Sequence, residues 1–149
     1  MSKQRIGIIG AGSFGTALAK VFHEAGNQVQ VWAREPEIVA HINTFNFNPR
    51  YLPDLVLPDA VFAVSGLFEV VQEKDLLVLA IPSHTLRDMA SRIKPMLSGN
   101  EVVITVSKGI EQKSFKTMSQ VLVDILEGVI SSDQIGVLSG PSHAEEVAH

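Results

Sequence analysis

Gly10-Ala11-Gly12-Ser13-Phe14-Gly15 is the stretch that decides the fold. It follows a short apolar run, Arg5 to Ile9, and precedes a helical pattern that sets Ala17, Leu18, Val21 and Phe22 on one side. The order is therefore strand, glycine turn, helix. In that context the spacing G-x-G-x-x-G is the dinucleotide fingerprint, because each glycine has a task. Gly10 permits the tight turn, Gly12 lets a pyrophosphate approach the backbone, and Gly15 allows the helix to lie close against the strand. The amides from Gly12 onward then face an anion at the positive end of the helix dipole. The competing reading is a glycine turn that holds no nucleotide.

The same residues lie one position away from the G-x-S-x-G nucleophile elbow of α/β hydrolases, with Ser13 as the nucleophile. Asp124 or Asp133, followed by His143, would supply the acid and the base in the required chain order. The elbow, however, follows a late strand of its sheet, and this turn follows the first.

Outward from the turn, Gly26 stands where a left-handed residue ends a helix. Val29 to Trp32 resumes as a β-branched and aromatic strand, and Pro36 opens a helix through about Thr44. Asn43 to Pro58 reads as a loop, since Pro49, Pro53 and Pro58 prevent a long helix. Val61 to Val64 is a short strand, Leu67 to Val71 a short helix, and Leu76 to Ile81 a strand covered on both faces. Helix, strand, helix, strand and a last short helix follow at Thr85 to Leu97, Val102 to Val106, Phe115 to Glu127, Ile135 to Leu138 and Ala144 to Ala148. This alternation predicts an α/β, Rossmann-type, doubly wound and mainly parallel sheet with helices on both faces. Five turns, after Ile9, Trp32, Ile81, Val106 and Leu138, should then share the edge where such sheets bind ligands.

The chain has 149 residues, the size of one domain, and residues 1–149 are read as a single dinucleotide-binding unit. Its 46% hydrophobic and 19% charged residues are those of a globular protein. No apolar stretch approaches the roughly 20 residues of a membrane span, and Met1 to Arg5 is too short for a signal peptide, so a cytoplasmic location is expected. The absence of cysteine excludes disulfides, thiolate metal sites and a cysteine nucleophile. A net charge of -4 with scattered basic residues argues against a nucleic-acid partner, and no metal site is expected.

Arg34 closes the second strand in Val31-Trp32-Ala33-Arg34, where an acidic residue would favour NAD. A guanidinium there suits a 2′-phosphate, so NADP, or use of both NADP and NAD, is favoured; Glu35 keeps the choice open. Lys108, in Ser107-Lys108-Gly109, is a cation at the ligand edge and suits a phosphorylated or polarised carbonyl substrate, or is simply exposed. Ser139-Gly140-Pro141-Ser142 precedes the last helix, and Ser142 is either an anion contact or a helix cap. His84 and His143 stand on strand-end turns without a second ligand or carboxylate at triad spacing.

Six blocks in order resemble bacterial NAD(P)-dependent glycerol-3-phosphate dehydrogenases: Gly10 to Ala19, Val31 to Arg34, Asn48-Pro-Arg-Tyr-Leu-Pro-Asp54, Ile81-Pro-Ser-His84, Ser107-Lys-Gly-Ile-Glu111 and Ser139-Gly-Pro-Ser-His-Ala-Glu145. The resemblance implies hydride transfer between NAD(P)H and dihydroxyacetone phosphate, giving sn-glycerol 3-phosphate for phospholipid synthesis. It implies cofactor contacts at Ser13, Phe14, Arg34, Tyr51, Lys108 and Ala144, and substrate contacts at Lys108, Gly140 and Ser142. The family has a second, helical domain that supplies the proton-exchanging lysine, so no catalytic residue is expected in this chain. The longer protein is expected to be a homodimer. This chain is expected to bind the cofactor without turnover, and a nucleotide-binding module with no part in catalysis is the rival reading.

Overall fold

In the computed structural model, which describes residues 2–140 and 143–149, six strands pair in parallel in the spatial order β3-β2-β1-β4-β5-β6. They are β1 (Arg5–Ile9), β2 (Gln28–Trp32), β3 (Phe62–Val64), β4 (Leu76–Leu79), β5 (Val102–Thr105) and β6 (Ile135–Val137). The helices are α1 (Ser13–Glu24), α2 (Pro36–Phe45), α3 (Leu67–Val71), α4 (Leu86–Ile93), α5 (Met118–Leu126) and α6 (Ala144–Val147). The doubly wound architecture read from the sequence is the one observed.

Side-chain alternation divides the strands between two cores. Ile8 lies in register with Val31 and Val78, and this row is packed with residues of α1 and α2. Leu77, Leu79 and Val103 face the other way, among apolar residues of α3, α4 and α5. Both faces are covered, which is why the inner strands are almost wholly apolar. Leu77 and Leu79 are fully buried, and each contributes about 1.5–3 kcal/mol by leaving water. Gly7, in the centre of β1, is required by packing: a Cβ there would overlap the carbonyl oxygen of Val70 in α3.

Strand order reverses between β1 and β4. The chain leaves β1 through α1 toward one edge, and returns from β3 through α3 to the other side of β1. The turns after these two central strands diverge and open a crevice at their carboxyl ends.

Several boundaries differ from the sequence reading, and the largest differences fall in three elements. β4 ends at Leu79 rather than Ile81, because β1 turns away at Gly10 after one last bond from the Ala80 amide to the Ile9 carbonyl. The helix expected over Thr85 to Leu97 is an α-helix only from Leu86 to Ile93, with 3-10 turns at Ser83–Thr85 and Lys94–Met96. Pro95 has no amide to continue it. The helix expected from Phe115 starts at Met118, because Thr117 and Gln120 form a reciprocal capping box, while Phe115 is exposed in a left-handed turn.

Candidate functional site

The glycine turn crosses the crevice between β1 and β4. Gly10 has φ 117°, and a Cβ on it would overlap the Ala80 carbonyl oxygen. A Cβ on Gly15 would overlap the carbonyl oxygen of Gly10, so the absence of a side chain is what lets α1 start this close to the strand. Gly12 differs: nothing lies within 4 Å of where its Cβ would be. It precedes α1 as the N-cap residue and no side chain caps the helix. The first turn of this 12-residue helix, uncapped by any side chain, borders a hollow, an arrangement suited to holding a diphosphate.

A loop over residues 46–58 folds back onto this turn. Asn48, fully buried, donates from Nδ2 to the Ala11 carbonyl at 2.8 Å and to Thr16 Oγ1 at 3.0 Å. Its Oδ1 accepts from the amides of Arg50 and Tyr51. The Ser13 hydroxyl adds a bond to the Tyr51 carbonyl at 2.9 Å. The loop thus carries Arg50 and Tyr51 to the rim of the crevice. Nothing periodic in the sequence points to Asn48; the only signal was its place in a Pro-rich block that matched the resembling family.

Two hollows lie along the carboxyl edge. One, of about 470 Å³, is bounded by Gly12, Arg34, Glu35, Tyr51 and Pro82. The other, of about 390 Å³, is bounded by Ser13, Phe14, Pro82, Lys108 and Ala144. Gly12, Ala80, Ile81 and Pro82 line both, so the two halves form one trough over the switch point. Gly10 and Gly15 fall one in each half. Among the predicted site residues, Gly140 comes to the second half through a hydrogen bond from Lys108 Nζ to its carbonyl at 2.9 Å. Ser142 lies outside the described residues. His84 and His143 are exposed, one in each half of the trough.

Lys108 is held on a braced loop. Ser107 is buried, with its hydroxyl donating to the Ile81 carbonyl and its amide to Thr105 Oγ1. Farther along, Arg87 of α4 forms a two-pronged bond to Glu111 at 2.7 and 2.9 Å and a third to Asp124 of α5 at 3.1 Å. Lys116 also reaches Asp124, at 2.9 Å. The Arg87 guanidinium, and then the Ser114 hydroxyl, pull the Glu111 carboxyl down to about 2. The same bonds raise the affinity of Arg87 for its proton.

The hydrolase reading has no support in this geometry. Ser13 is the first residue of α1 and is absent from the positive-φ positions, and its hydroxyl donates to a backbone carbonyl rather than to an imidazole. Among the described residues, no cluster of three or more histidine, aspartate or glutamate side chains could hold a metal ion. No helix among them is long and apolar enough to cross a membrane. A further hollow of about 400 Å³, near Arg5, Gln28 and Phe62, is at the opposite edge of the sheet.

The chain resembles known proteins over nearly its whole length. It is 43% identical over 143 residues to a glycerol-3-phosphate dehydrogenase (NAD(P)+) of Corynebacterium aurimucosum, covering 96% of this chain and 42% of that protein. A Salinibacter ruber protein of the same name is 45% identical, with the same coverage. Among solved structures, glycerol-3-phosphate dehydrogenase from Coxiella burnetii superposes with a TM-score of 0.87 at 32% identity, covering 98% of this chain and 43% of the other. The chain thus spans about two fifths of the length of the curated relatives it matches. The family model for the N-terminus of NAD-dependent glycerol-3-phosphate dehydrogenase matches residues 5–149, and the chain belongs to that family.

Proposed function

We propose that residues 1–149 are the dinucleotide-binding domain of an oxidoreductase that interconverts sn-glycerol 3-phosphate and dihydroxyacetone phosphate with NAD(P), in the service of glycerophospholipid synthesis. The observation that carries the proposal is the uncapped N-terminus of α1, with Gly12 facing open space in a trough that runs from Arg34 to Lys108. The donors of Gly12 to Gly15 hold the diphosphate there by charge-assisted hydrogen bonds. Arg34 and Tyr51 flank the adenosine half, and Phe14 and Ala144 the nicotinamide half. The bound nicotinamide supplies or accepts the hydride at the substrate carbonyl carbon.

Lys108 is the cation at that end. Its ammonium stabilises the negative charge that develops on the substrate oxygen, and its bond to the Gly140 carbonyl sets the direction of the amine. Gly140 and Ser142 are assigned to the substrate on the family resemblance. No residue of this chain is assigned to proton exchange. The same resemblance carries a homodimer for the longer protein, and the expectation of a cytoplasmic location rests on the sequence reading. A fluorescence titration with NADH and NADPH tests the reading. Saturable binding of at least one, reversed by NADP+ or NAD+, is expected; a chain that is folded by circular dichroism and binds neither overturns it.

A further inference from the structure

Glu35 lies between two guanidinium groups from different parts of the chain. Its Oε1 is 3.2 Å from Arg34 Nη2 and 3.8 Å from Arg50 Nη1. Arg34 comes directly from the end of β2, and Arg50 from the loop that Asn48 fastens to the glycine turn. The carboxylate is the sheltered member, 22% exposed, whereas the two arginines are 82% and 61% exposed. The Arg50 guanidinium is also 5.4 Å from the centre of the Tyr51 ring. Tyr51, Arg34 and Glu35 border the same hollow.

We propose that Glu35 is an internal counter-anion that sets dinucleotide selectivity, with Arg50 as a second cation beside Arg34. This rests on the assignment of that hollow to adenosine. A 2′-phosphate carries about -1.5 to -2 charges at neutral pH and three acceptor oxygens. It is a better partner for two guanidiniums than one carboxylate is, but it must either share them with Glu35 or displace it. Two anions so close also repel each other. A ribose without the phosphate makes no such demand, and its hydroxyls find in Glu35 an acceptor already held in place. One carboxylate therefore lowers the advantage of NADPH and raises that of NADH, and the site accepts both. Removal of its charge shifts selectivity one way, and removal of Arg50 shifts it the other way.

The test is the ratio of NADPH to NADH affinity, measured by fluorescence titration of the chain and of Glu35→Gln and Arg50→Gln. 2′,5′-ADP and 5′-AMP serve as displacing probes that report the adenosine end alone. Glu35→Gln should raise the ratio about fivefold and Arg50→Gln lower it about fivefold, the size of one largely exposed charge pair. The 2′,5′-ADP to 5′-AMP ratio should move in the same directions, and both effects should shrink at high salt. If both dinucleotides bind every variant and the ratio does not move, the proposal is overturned while the dinucleotide site stands. If the unsubstituted chain binds neither, the assignment of the site falls and the proposal with it.

Discussion

Gly12 and Gly15 stand three residues apart in one turn, yet the structure requires them for different reasons. A methyl group on Gly15 meets the backbone of Gly10, which cannot move without pulling β1 away from α1. A methyl group on Gly12 meets only open space, where a ligand would approach. Gly15→Ala should therefore cost about 3 kcal/mol or more of folding stability, as other backbone overlaps in packed regions do. Gly12→Ala should change stability by no more than about 1 kcal/mol and weaken NAD(P)H binding at least about tenfold, or about 1.4 kcal/mol. Urea unfolding and a dinucleotide titration on each variant separate the two roles. Equal losses of stability would show that the turn is a folding element at both positions.

At the scale of elements, the loop between β5 and α5 presents Lys108 and is held from behind by the network of Arg87, Glu111, Asp124 and Lys116. Glu111 titrates at about 2 in the folded chain against an ordinary 4.5, so folding favours its ionised form. Its contribution to stability is complete above about pH 4.5 and is lost as the pH falls through about 2. Glu111→Gln should flatten the acid limb of a plot of urea midpoint against pH in that window. Asp75, bonded to Arg5, and Asp124 are also held below their usual range and keep some slope in both proteins. Identical slopes with and without the Glu111 carboxylate would mean that the network is too well screened to brace the loop. The capping box of Thr117 and Gln120 fixes the other end of this loop; its Thr-x-x-Gln signature is present in the sequence, but the reading that began the helix at Phe115 missed it. The network itself was not readable, because Arg87, Glu111 and Asp124 meet only when α4 and α5 pack side by side.

For the molecule as a whole, the trough over the switch point is expected to bind the dinucleotide without turnover. Lys108 is exposed, and among the described residues it is the one lysine that lines either hollow. An ammonium open to water is screened, and stabilisation of a developing alkoxide depends on exclusion of that water. The 149-residue chain should therefore bind NADPH but reduce dihydroxyacetone phosphate far more slowly than the ~1 s⁻¹ typical of working enzymes. A steady-state assay of NADPH oxidation measures this. Turnover at or above that rate would locate a complete reaction centre within these residues.

What the sequence by itself determined is what periodicity and spacing encode. Apolar runs ending in small residues specified six strands, a 3.6-residue pattern specified the helices between them, and three glycines specified the turn proposed to face a diphosphate. These signals are local, so a single chain read in order contains them. Tertiary structure alone decided the partnerships among polar side chains: Asn48 with Ala11 and Thr16, Glu35 with Arg50, Arg87 with Glu111 and Asp124. It also decided that Gly7 must be bare, since the obstacle is a carbonyl of α3 more than sixty residues away. The physical reason is that hydrophobic pattern states which face of an element turns inward, whereas a hydrogen bond needs two atoms within about 3 Å and an ion pair within about 4 Å. Only the folding of loops across the sheet brings such atoms that close.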